Sequence, residues 1–213
     1  MPLRLTRAEQ TERNRVLLLA AARRVFLERG YHGASLDQIA EEAGFSTGVV
    51  YSQFEGKADL FLTLLEARIE ERAAGNARVV EGLAGDEGID RLLEHAASVD
   101  RAEPEWGLLV IEFRVHAARD LELGRRYAVL HERTLAGLER AITTLYQRTG
   151  ESPPLPPAEL AHLVLAVGAG AGLEHAVEPD SLPVTLLTRL LAPAVKQRPS
   201  SDAQTSDRRR VVA

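Results

Sequence analysis

The stretch AGFSTGVVYSQFEGKADLF, residues 43 to 61, decides how the first third of the chain folds. Two short segments with helical spacing meet at Gly44, and a glycine in the left-handed conformation forms such a sharp turn most easily. Val50 and Phe54 are spaced i, i+4, so both face the core if the second segment is a helix. The stretch therefore predicts a helix-turn-helix.

The outward side of the second helix carries small and hydroxyl-bearing residues. Gly48 and Ser52 lie opposite the buried face, and Val49 and Tyr51 lie on its flanks. Such a surface can enter a DNA major groove: glycine permits close backbone approach, a valine methyl can contact thymine, and the hydroxyls of Thr47 or Tyr51 can reach phosphates or base edges. A second interpretation stays open, in which these residues only pack a tight helical corner.

From Ala21 to Leu65 the chain resembles the N-terminal domain of the TetR family of transcriptional regulators. The residues that carry the resemblance run from a small pair in the first helix to a lysine after the helix-turn-helix. They are Ala21, Ala22, Val25, Phe26, Gly30, Tyr31, Ser35, Ile39, Ala40, Ala43, Gly44, Ser46, Gly48, Val50, Tyr51, Phe54 and Lys57. The chain departs from the family pattern at Ala34, usually threonine, at Gln53, frequently histidine, and at Gly56, commonly serine or asparagine.

The resemblance implies that the helix-turn-helix and the start of the following helix contact DNA. The implied contact residues are Ser35, Ser46, Thr47, Gly48, Val49, Tyr51, Gln53 and Lys57. Lys57 places a cation in the first turn of a helix, where backbone amides already favour phosphate. Gln53 keeps a hydrogen-bond donor and acceptor of similar reach to the usual histidine.

The whole chain is predicted to be all-α, because alanine, leucine, glutamate and arginine dominate and apolar residues recur at i, i+3, i+4 and i+7. We predict about nine helices, the first over 11–29 and the last two after a proline-rich linker at 151–159. Three regions are expected: a helix-turn-helix DNA-binding domain with a basic N-terminal arm over 1–56, a ligand-binding and dimerisation helical domain over 57–197, and a disordered tail over 198–213.

The basic arm contains Arg4, Arg7, Arg13 and Arg15, although the formal net charge of the chain is −5. Net charge describes the average surface and leaves one positive face possible. The arm can contact phosphates or the minor groove, or it can be disordered.

By the same resemblance, the C-terminal helices form a bundle with a small-molecule pocket and a dimer interface. The pocket candidates are aromatic and polar residues on two successive helices, a mixture that lines many ligand sites. They are Trp106, Phe113, His116, Tyr127, His131 and Thr134. Each of them can alternatively fill the core. Only Arg114, Arg125 and Arg126 nearby can pair an anion, so the expected effector is a largely apolar small molecule.

Three glycines in one late helix cost helix stability unless a neighbouring helix approaches closely, so we expect contacts across a two-fold axis there. The predicted dimer interface consists of Gly168, Gly170, Gly172, Leu187 and Leu190. A phosphate-binding loop is a poor alternative, because GAGAG departs from GxGxxG and follows no predicted strand.

Several classes of protein are disfavoured. The chain has no cysteine, which excludes disulfides, thiol nucleophiles and thiolate zinc sites. The apolar run over 160–173 is short and interrupted, and the amino end is charged, so we expect a cytoplasmic protein without a membrane partner. Glu159 and His162 form one E-x-x-H pair, whereas di-iron bundles need two pairs and further carboxylates. We therefore expect neither an enzyme nor a cofactor.

The predicted function is that of a ligand-responsive transcriptional repressor. A homodimer would bind a palindromic DNA operator with its recognition helices about 34 Å apart, and a small molecule would release it. The alternative is a helical protein-interaction or ligand-binding module without DNA binding. Tyr51 and Lys57 favour the first interpretation.

Overall fold

The computed structural model describes residues 6–150 and 152–178, in which eight α-helices and no β-strand occur. The helices are α1 (Arg7–Gly33), α2 (Leu36–Ala43), α3 (Thr47–Tyr51), α4 (Lys57–Val79), α5 (Gly85–Ala102), α6 (Pro104–Ala117), α7 (Leu121–Thr149) and α8 (Pro157–Val177). The predicted all-α fold, with an N-terminal helix-turn-helix and a helical body, is confirmed. The predicted ninth helix, which contains Leu187 and Leu190, lies outside the described residues, as does the predicted tail.

Helix α1 is longer than predicted at both ends. Thr6 and Glu9 form a capping box, in which the Thr6 hydroxyl accepts the Glu9 amide and the Glu9 carboxylate accepts the Thr6 amide. The helix is interrupted at Gly30 (φ 70°, ψ 174°) and continues for one further turn. The predicted arm is therefore helical from Arg7 onward, while Arg4 lies outside the described residues.

The helix-turn-helix forms as the sequence predicts. Ser35 is the N-cap of α2: its hydroxyl accepts the Gln38 amide at 3.2 Å, and its own amide donates to the Gln38 side chain at 2.9 Å. Gly44 ends α2 in the left-handed conformation (φ 73°). Val50 and Phe54 are buried, with 0% and 2% of their surface exposed.

The second helix of this motif, α3, ends two residues before Gln53, to which the sequence extended it. The Ser52 hydroxyl donates to the Val49 carbonyl at 2.7 Å, a local bond that competes with helix continuation. The chain still passes through a turn, because the Phe54 amide donates to the Val50 carbonyl at 2.9 Å.

The buried side chains form two clusters. The first, here called the lower cluster, contains residues of α1, α2, α3, α4, α6 and α7. The second, here called the upper cluster, contains residues of α5, α7, α8 and the end of α4. Phe61 of α4 stacks on Phe113 of α6 at 4.3 Å between centroids and meets Phe26 of α1 edge-on at 5.5 Å. The lower cluster thus crosses the predicted boundary at 56/57, so the helix-turn-helix and the body share one core.

Among the described residues, α8 is the one helix whose length and composition would suit a membrane span, with a mean hydropathy of 1.4 over an 18-residue window. Only 17% of that window is buried. One such helix is weak support for a membrane segment, and α8 packs on α6 and α7 within the fold. Much of the apolar surface of α8 is exposed in the described protomer.

Candidate nucleic-acid interface

The exposed parts of Ser46, Thr47, Gly48 and Tyr51 form one surface, here called the recognition surface. Thr47 and Tyr51 are one helical turn apart on α3, and 61% of Tyr51 is exposed. Gly48 is exposed, and a Cβ there would meet no atom closer than 3.7 Å. The structure therefore brings together four of the predicted DNA-contact residues. Val49 is only half-exposed, because it packs against the lower cluster.

Thr47 is tied to a residue that sequence reasoning missed. Its hydroxyl donates to Asp37 Oδ1 at 2.6 Å, across the two helices of the motif. Asp37 lies in the first turn of α2, where an acid is favoured by the helix dipole, and it is exposed. Nothing in the spacing of the sequence signals this bond, since the two residues are ten positions apart on different helices.

Two further predicted contact residues, Ser35 and Gln53, already have internal bonds or burial. Ser35 accepts a hydrogen bond at its cap, which leaves its hydroxyl proton free to donate. Gln53 has its Oε1 atom buried, and its backbone carbonyl accepts Arg15 Nη1 at 3.4 Å. The Arg15 guanidinium also lies 4.6 Å from the Phe54 ring centroid, so this arginine braces the end of the motif.

Lys57 points toward the end of α1. Its ammonium donates to the carbonyls of Tyr31 and Ala34, both at 2.9 Å, and lies 4.7 Å from the Tyr31 ring centroid. Burial lowers the pKa of Lys57, and the nearby carboxylate of Glu112 opposes that shift. At least two of the three ammonium protons are thus occupied inside the protein.

The same turn is held from its other side by Glu112 of α6. Its Oε2 accepts the Tyr31 amide at 2.8 Å and its Oε1 accepts the His32 amide at 2.9 Å. The positive φ of Gly30 favours glycine, and a Cβ there, 2.7 Å from Glu112 Oε2, would displace the carboxylate from this position. Glu112 and Lys57 together form a clamp on residues 30–34, which links the body to the helix-turn-helix.

The charge of the motif is unusual for a DNA-binding surface. The segment 34–56 contains four acidic residues and no lysine or arginine. The acids are Asp37, Glu41, Glu42 and Glu55. Positive charge flanks the motif instead, at Lys57 and along α1, where Arg24 pairs with Glu42 at 2.7 Å. Positively charged side chains that attract phosphate must therefore come from outside the two helices of the motif.

The predicted pocket residues are partly core and partly polar. Phe113 is fully buried and Trp106 is 9% exposed, so these two rings fill the lower cluster. Ring contacts connect Phe113 to Tyr127 and Tyr127 to His131, each at 6.0 Å. Thr134 donates its hydroxyl to a backbone carbonyl of its own helix at 3.0 Å. His116 belongs to the same group of rings, with its centroid 5.2 Å from that of Tyr31 and 6.5 Å from that of Phe113.

Tyr127, His131 and Thr134 lie on α7, where Tyr127 packs against the lower cluster and Thr134 follows Leu130, the last α7 residue of that cluster. Burial lowers the pKa of His131, as do Arg114 and His162, whereas burial raises the pKa of Tyr127. A separate cavity of about 10 Å³, room for about one water molecule, lies within the upper cluster. Its lining is wholly apolar: Ile89, Leu92, Leu93, Ile142, Leu160 and Val164.

The three glycines of α8 have no close neighbour within the described protomer. A Cβ at Gly168, Gly170 or Gly172 would meet no atom within 4 Å. Close packing against the described residues therefore does not explain them. The same helix exposes Leu173 and Val177, with 46% and 88% of their surface accessible.

Two family models match the chain. The model for "Bacterial regulatory proteins, tetR family" matches residues 18–64, and the model for "BetI-type transcriptional repressor, C-terminal" matches residues 85–198. Together they cover the helix-turn-helix and most of the body.

Individual relatives are similar over shorter stretches. The HTH-type transcriptional activator FasR of Mycolicibacterium smegmatis is 41% identical over 69 residues, 32% of this chain and 31% of the relative. The HTH-type transcriptional repressor BepR of Brucella suis is 33% identical over 119 residues, 56% of this chain and 47% of the relative. The chain thus spans less than half the length of these two relatives.

A solved structure shares the fold over nearly its whole length. The transcriptional regulator FadR from Bacillus subtilis, in complex with stearoyl-CoA, superposes with a TM-score of 0.69 at 17% identity. The superposition covers 85% of this chain and 97% of that structure.

Proposed function

This chain belongs to the TetR family of bacterial regulators, which bind DNA and are not enzymes, and from that membership we propose that it is a ligand-responsive repressor. It binds a palindromic operator as a homodimer, and a largely apolar small molecule releases it. The recognition surface carries this proposal, because its only large side chain, Tyr51, is exposed beside a glycine that leaves room for a groove edge.

The proposed DNA contacts are those of the predicted residues, with roles adjusted to their surroundings. Ser35 donates its free proton to a phosphate, and Gly48, Val49 and Tyr51 meet base edges or the sugar-phosphate backbone. Ser46, whose side chain makes no cap bond, supplies a further hydroxyl. Lys57 and Gln53 mainly hold the motif in place, since the Lys57 ammonium donates to the Tyr31 and Ala34 carbonyls and also lies 3.5 Å from the His32 carbonyl.

A homodimer formed through α8 accounts for its exposed apolar surface. The small residues Gly168, Gly170 and Gly172 allow a second helix to approach closely, as do their alanine neighbours. The predicted partners Leu187 and Leu190 would extend the same interface. Dimerisation places two recognition helices about one DNA turn apart, which a palindromic operator requires.

The proposed effector site lies between α6 and α7, next to Tyr127, His131 and Thr134. The surroundings are mainly apolar, and Arg114 has no acidic partner in the described part of the chain, so it can pair an anionic end of the ligand. The fold shared with a regulator solved with stearoyl-CoA supports a ligand with a long apolar part. In this proposal Trp106 and Phe113 pack in the lower cluster and do not contact the ligand directly.

The clamp on residues 30–34 gives this ligand a route to the helix-turn-helix. A ligand between α6 and α7 displaces Glu112, which releases the Tyr31 and His32 amides and shifts the end of α1 against Lys57. Allosteric coupling of about 1–3 kcal/mol, roughly 5- to 150-fold in affinity, is typical of such regulators. The hydrogen bond between the Tyr31 amide and Glu112, which are 81 residues apart in the chain, supports this route.

Selection of bound fragments from a genomic library tests the DNA-binding function. We expect a palindromic sequence whose half-sites are about one turn apart, with binding that weakens as salt rises. Recovery of no common sequence would favour the alternative of a helical interaction module. A reporter gene behind the selected site then separates repression from activation, a distinction that matters because BepR is a repressor and FasR an activator.

A second experiment tests the effector class. The chain has a single tryptophan, Trp106, which lies in the lower cluster and reports on changes around it. Fatty acids and their thioesters should change its fluorescence in a saturable way and lower operator affinity. A response only to small polar phosphates would contradict the proposed apolar ligand.

A further inference from the structure

The bond between Thr47 and Asp37 determines what this part of the recognition surface can recognise. A hydroxyl has a single proton, and Thr47 donates it to Asp37 Oδ1 at 2.6 Å. The outward side of the Thr47 oxygen therefore offers lone pairs only. The ionised carboxylate of Asp37 is also an acceptor without a donor. The two side chains together present acceptors and no proton.

DNA offers few partners for such a pair. Phosphate oxygens are acceptors and carry negative charge, so they repel Asp37 and cannot bond to the outward side of Thr47. In the major groove the donors on base edges are the N4 amino group of cytosine and the N6 amino group of adenine. The expectation that the Thr47 hydroxyl donates to phosphate does not fit this geometry.

We propose that Asp37 and Thr47 form an acceptor pair that reads the exocyclic amino group of one cytosine or adenine in each half-site. Asp37 is a specificity-determining residue in two ways, because it sets the direction of the Thr47 hydroxyl and accepts a hydrogen bond itself. This inference rests on the proposed DNA-binding function and deepens it.

The charge around the pair strengthens the selection. Asp37 takes part in no ion pair in the part of the chain that the structure describes, and the segment 34–56 has no cation. If no base amino group faces Asp37 in the groove, its carboxylate has no partner on the DNA. The resulting loss of affinity for wrong sequences is larger than the gain in affinity for the right one. Its bond to Thr47 comes from another helix, so Asp37 does more than stabilise the first turn of α2.

Two variants and a control test the pair on the sequence that the wild-type protein selects. Thr47→Val removes the acceptor oxygen, Asp37→Asn removes the charge, and Thr47→Ser keeps the hydroxyl as the matched control. We expect the wild type and Thr47→Ser to require adenine or cytosine at one position of each half-site. Thr47→Val should lose that preference by about tenfold, the size of one good base contact. Asp37→Asn should also bind scrambled DNA more tightly than the wild type.

Base analogues locate the contact on the DNA. The critical adenine is replaced by purine, or the critical cytosine by 2-pyrimidinone, each of which lacks only the exocyclic amino group. Wild-type affinity should fall by about tenfold, while Thr47→Val, which keeps only the Asp37 acceptor, should lose less affinity than the wild type. Thermal unfolding of each variant checks that the motif is intact.

The outcomes separate this inference from the function it rests on. If the wild type selects an operator but neither variant nor analogue changes the base preference, the acceptor pair is wrong and the DNA-binding function stands. A selected position that presents no amino group opposite the pair would also overturn it. If the wild type selects no sequence, both proposals fail.

Discussion

Tyr51 is the residue whose substitution most directly tests the recognition surface. Its ring is 61% exposed and belongs to no core contact, so Tyr51→Ala should leave the free energy of unfolding within about 0.5 kcal/mol of wild type. Operator affinity should fall about tenfold, as expected for the loss of one good groove contact. Gel-shift titration gives the affinity and urea unfolding the stability.

Tyr51→Phe serves as the control for that change, because it retains the ring and removes only the hydroxyl. A loss in Tyr51→Ala that Tyr51→Phe does not share assigns the contact to the ring. Unchanged operator affinity in Tyr51→Ala would remove this residue from the interface.

Phe113 tests whether a predicted pocket residue is in fact core. Its side chain is fully buried and stacks on Phe61, so Phe113→Ala should destabilise the protein by about 3–5 kcal/mol. Val115 on the same helix is 52% exposed, and Val115→Ala should cost much less. Urea unfolding compares the two. Equal costs would contradict the placement of Phe113 in the lower cluster.

The sequence predicted single residues well where local spacing decides their position. Ser35, Gly44, Val50 and Phe54 lie where the i, i+4 pattern and cap preferences place them. The bonds of Thr47, Lys57 and Glu112 could not be predicted, because their partners are 10 to 81 residues away. Helical periodicity gives the face on which a side chain lies, but it gives no information on which other helix meets that face.

At the scale of helices, the clamp on residues 30–34 joins α1, α4 and α6. Glu112→Ala leaves two amides at the interruption of α1 without their acceptor, so we expect a loss of about 1–3 kcal/mol in stability. Hydrogen exchange at the Tyr31 and His32 amides should accelerate more than elsewhere. Glu105→Ala, an exposed position on the same helix, is the control. Equal exchange in both variants would argue against the clamp.

The eight helices of the described residues and their order were predictable from composition and period, whereas helix ends were not. The capping box at Thr6 extends α1 into the predicted arm, and the side-chain bond of Ser52 accompanies the early end of α3. Both effects depend on side-chain hydrogen bonds of one or two residues. Such bonds shift an end by a few positions and leave the hydrophobic pattern unchanged.

At the scale of the whole molecule, the glycines of α8 distinguish a monomer from a dimer. Because a Cβ at Gly170 meets nothing within 4 Å in the part of the protomer that the structure describes, Gly170→Ala should raise the helix stability of a monomer by roughly 0.5–1 kcal/mol. If a second protomer packs against this helix, the same change should weaken the dimer. Analytical ultracentrifugation across a dilution series measures this, with the exposed Gly107→Ala on α6 as control.

Acid stability of the whole fold should depend on two histidines. Burial is the main cause that lowers the pKa of His95 and His131 below the ordinary value of 6.5. In the window from that value down to the folded-state pKa, the unfolded chain binds more protons than the folded one, so stability falls as pH falls. The double variant His95→Gln, His131→Gln should lose less stability than wild type between about pH 7 and pH 5.5 in urea unfolding. If the double variant loses as much stability over this pH range as the wild type, the carboxylates alone account for the acid destabilisation.

The lower cluster, which crosses from the helix-turn-helix into α6, limits how this regulator can be recombined. A chimera that joins residues 1–56 to the body of another regulator would leave Phe26 and Tyr31 without Phe61 and Phe113, and the end of α1 without Glu112. Residues 1–56 and the helical body therefore cannot be exchanged independently of each other. A functional hybrid must transplant the facing surfaces of α4 and α6 together with the motif, so new operator specificities are better introduced by point changes on α2 and α3.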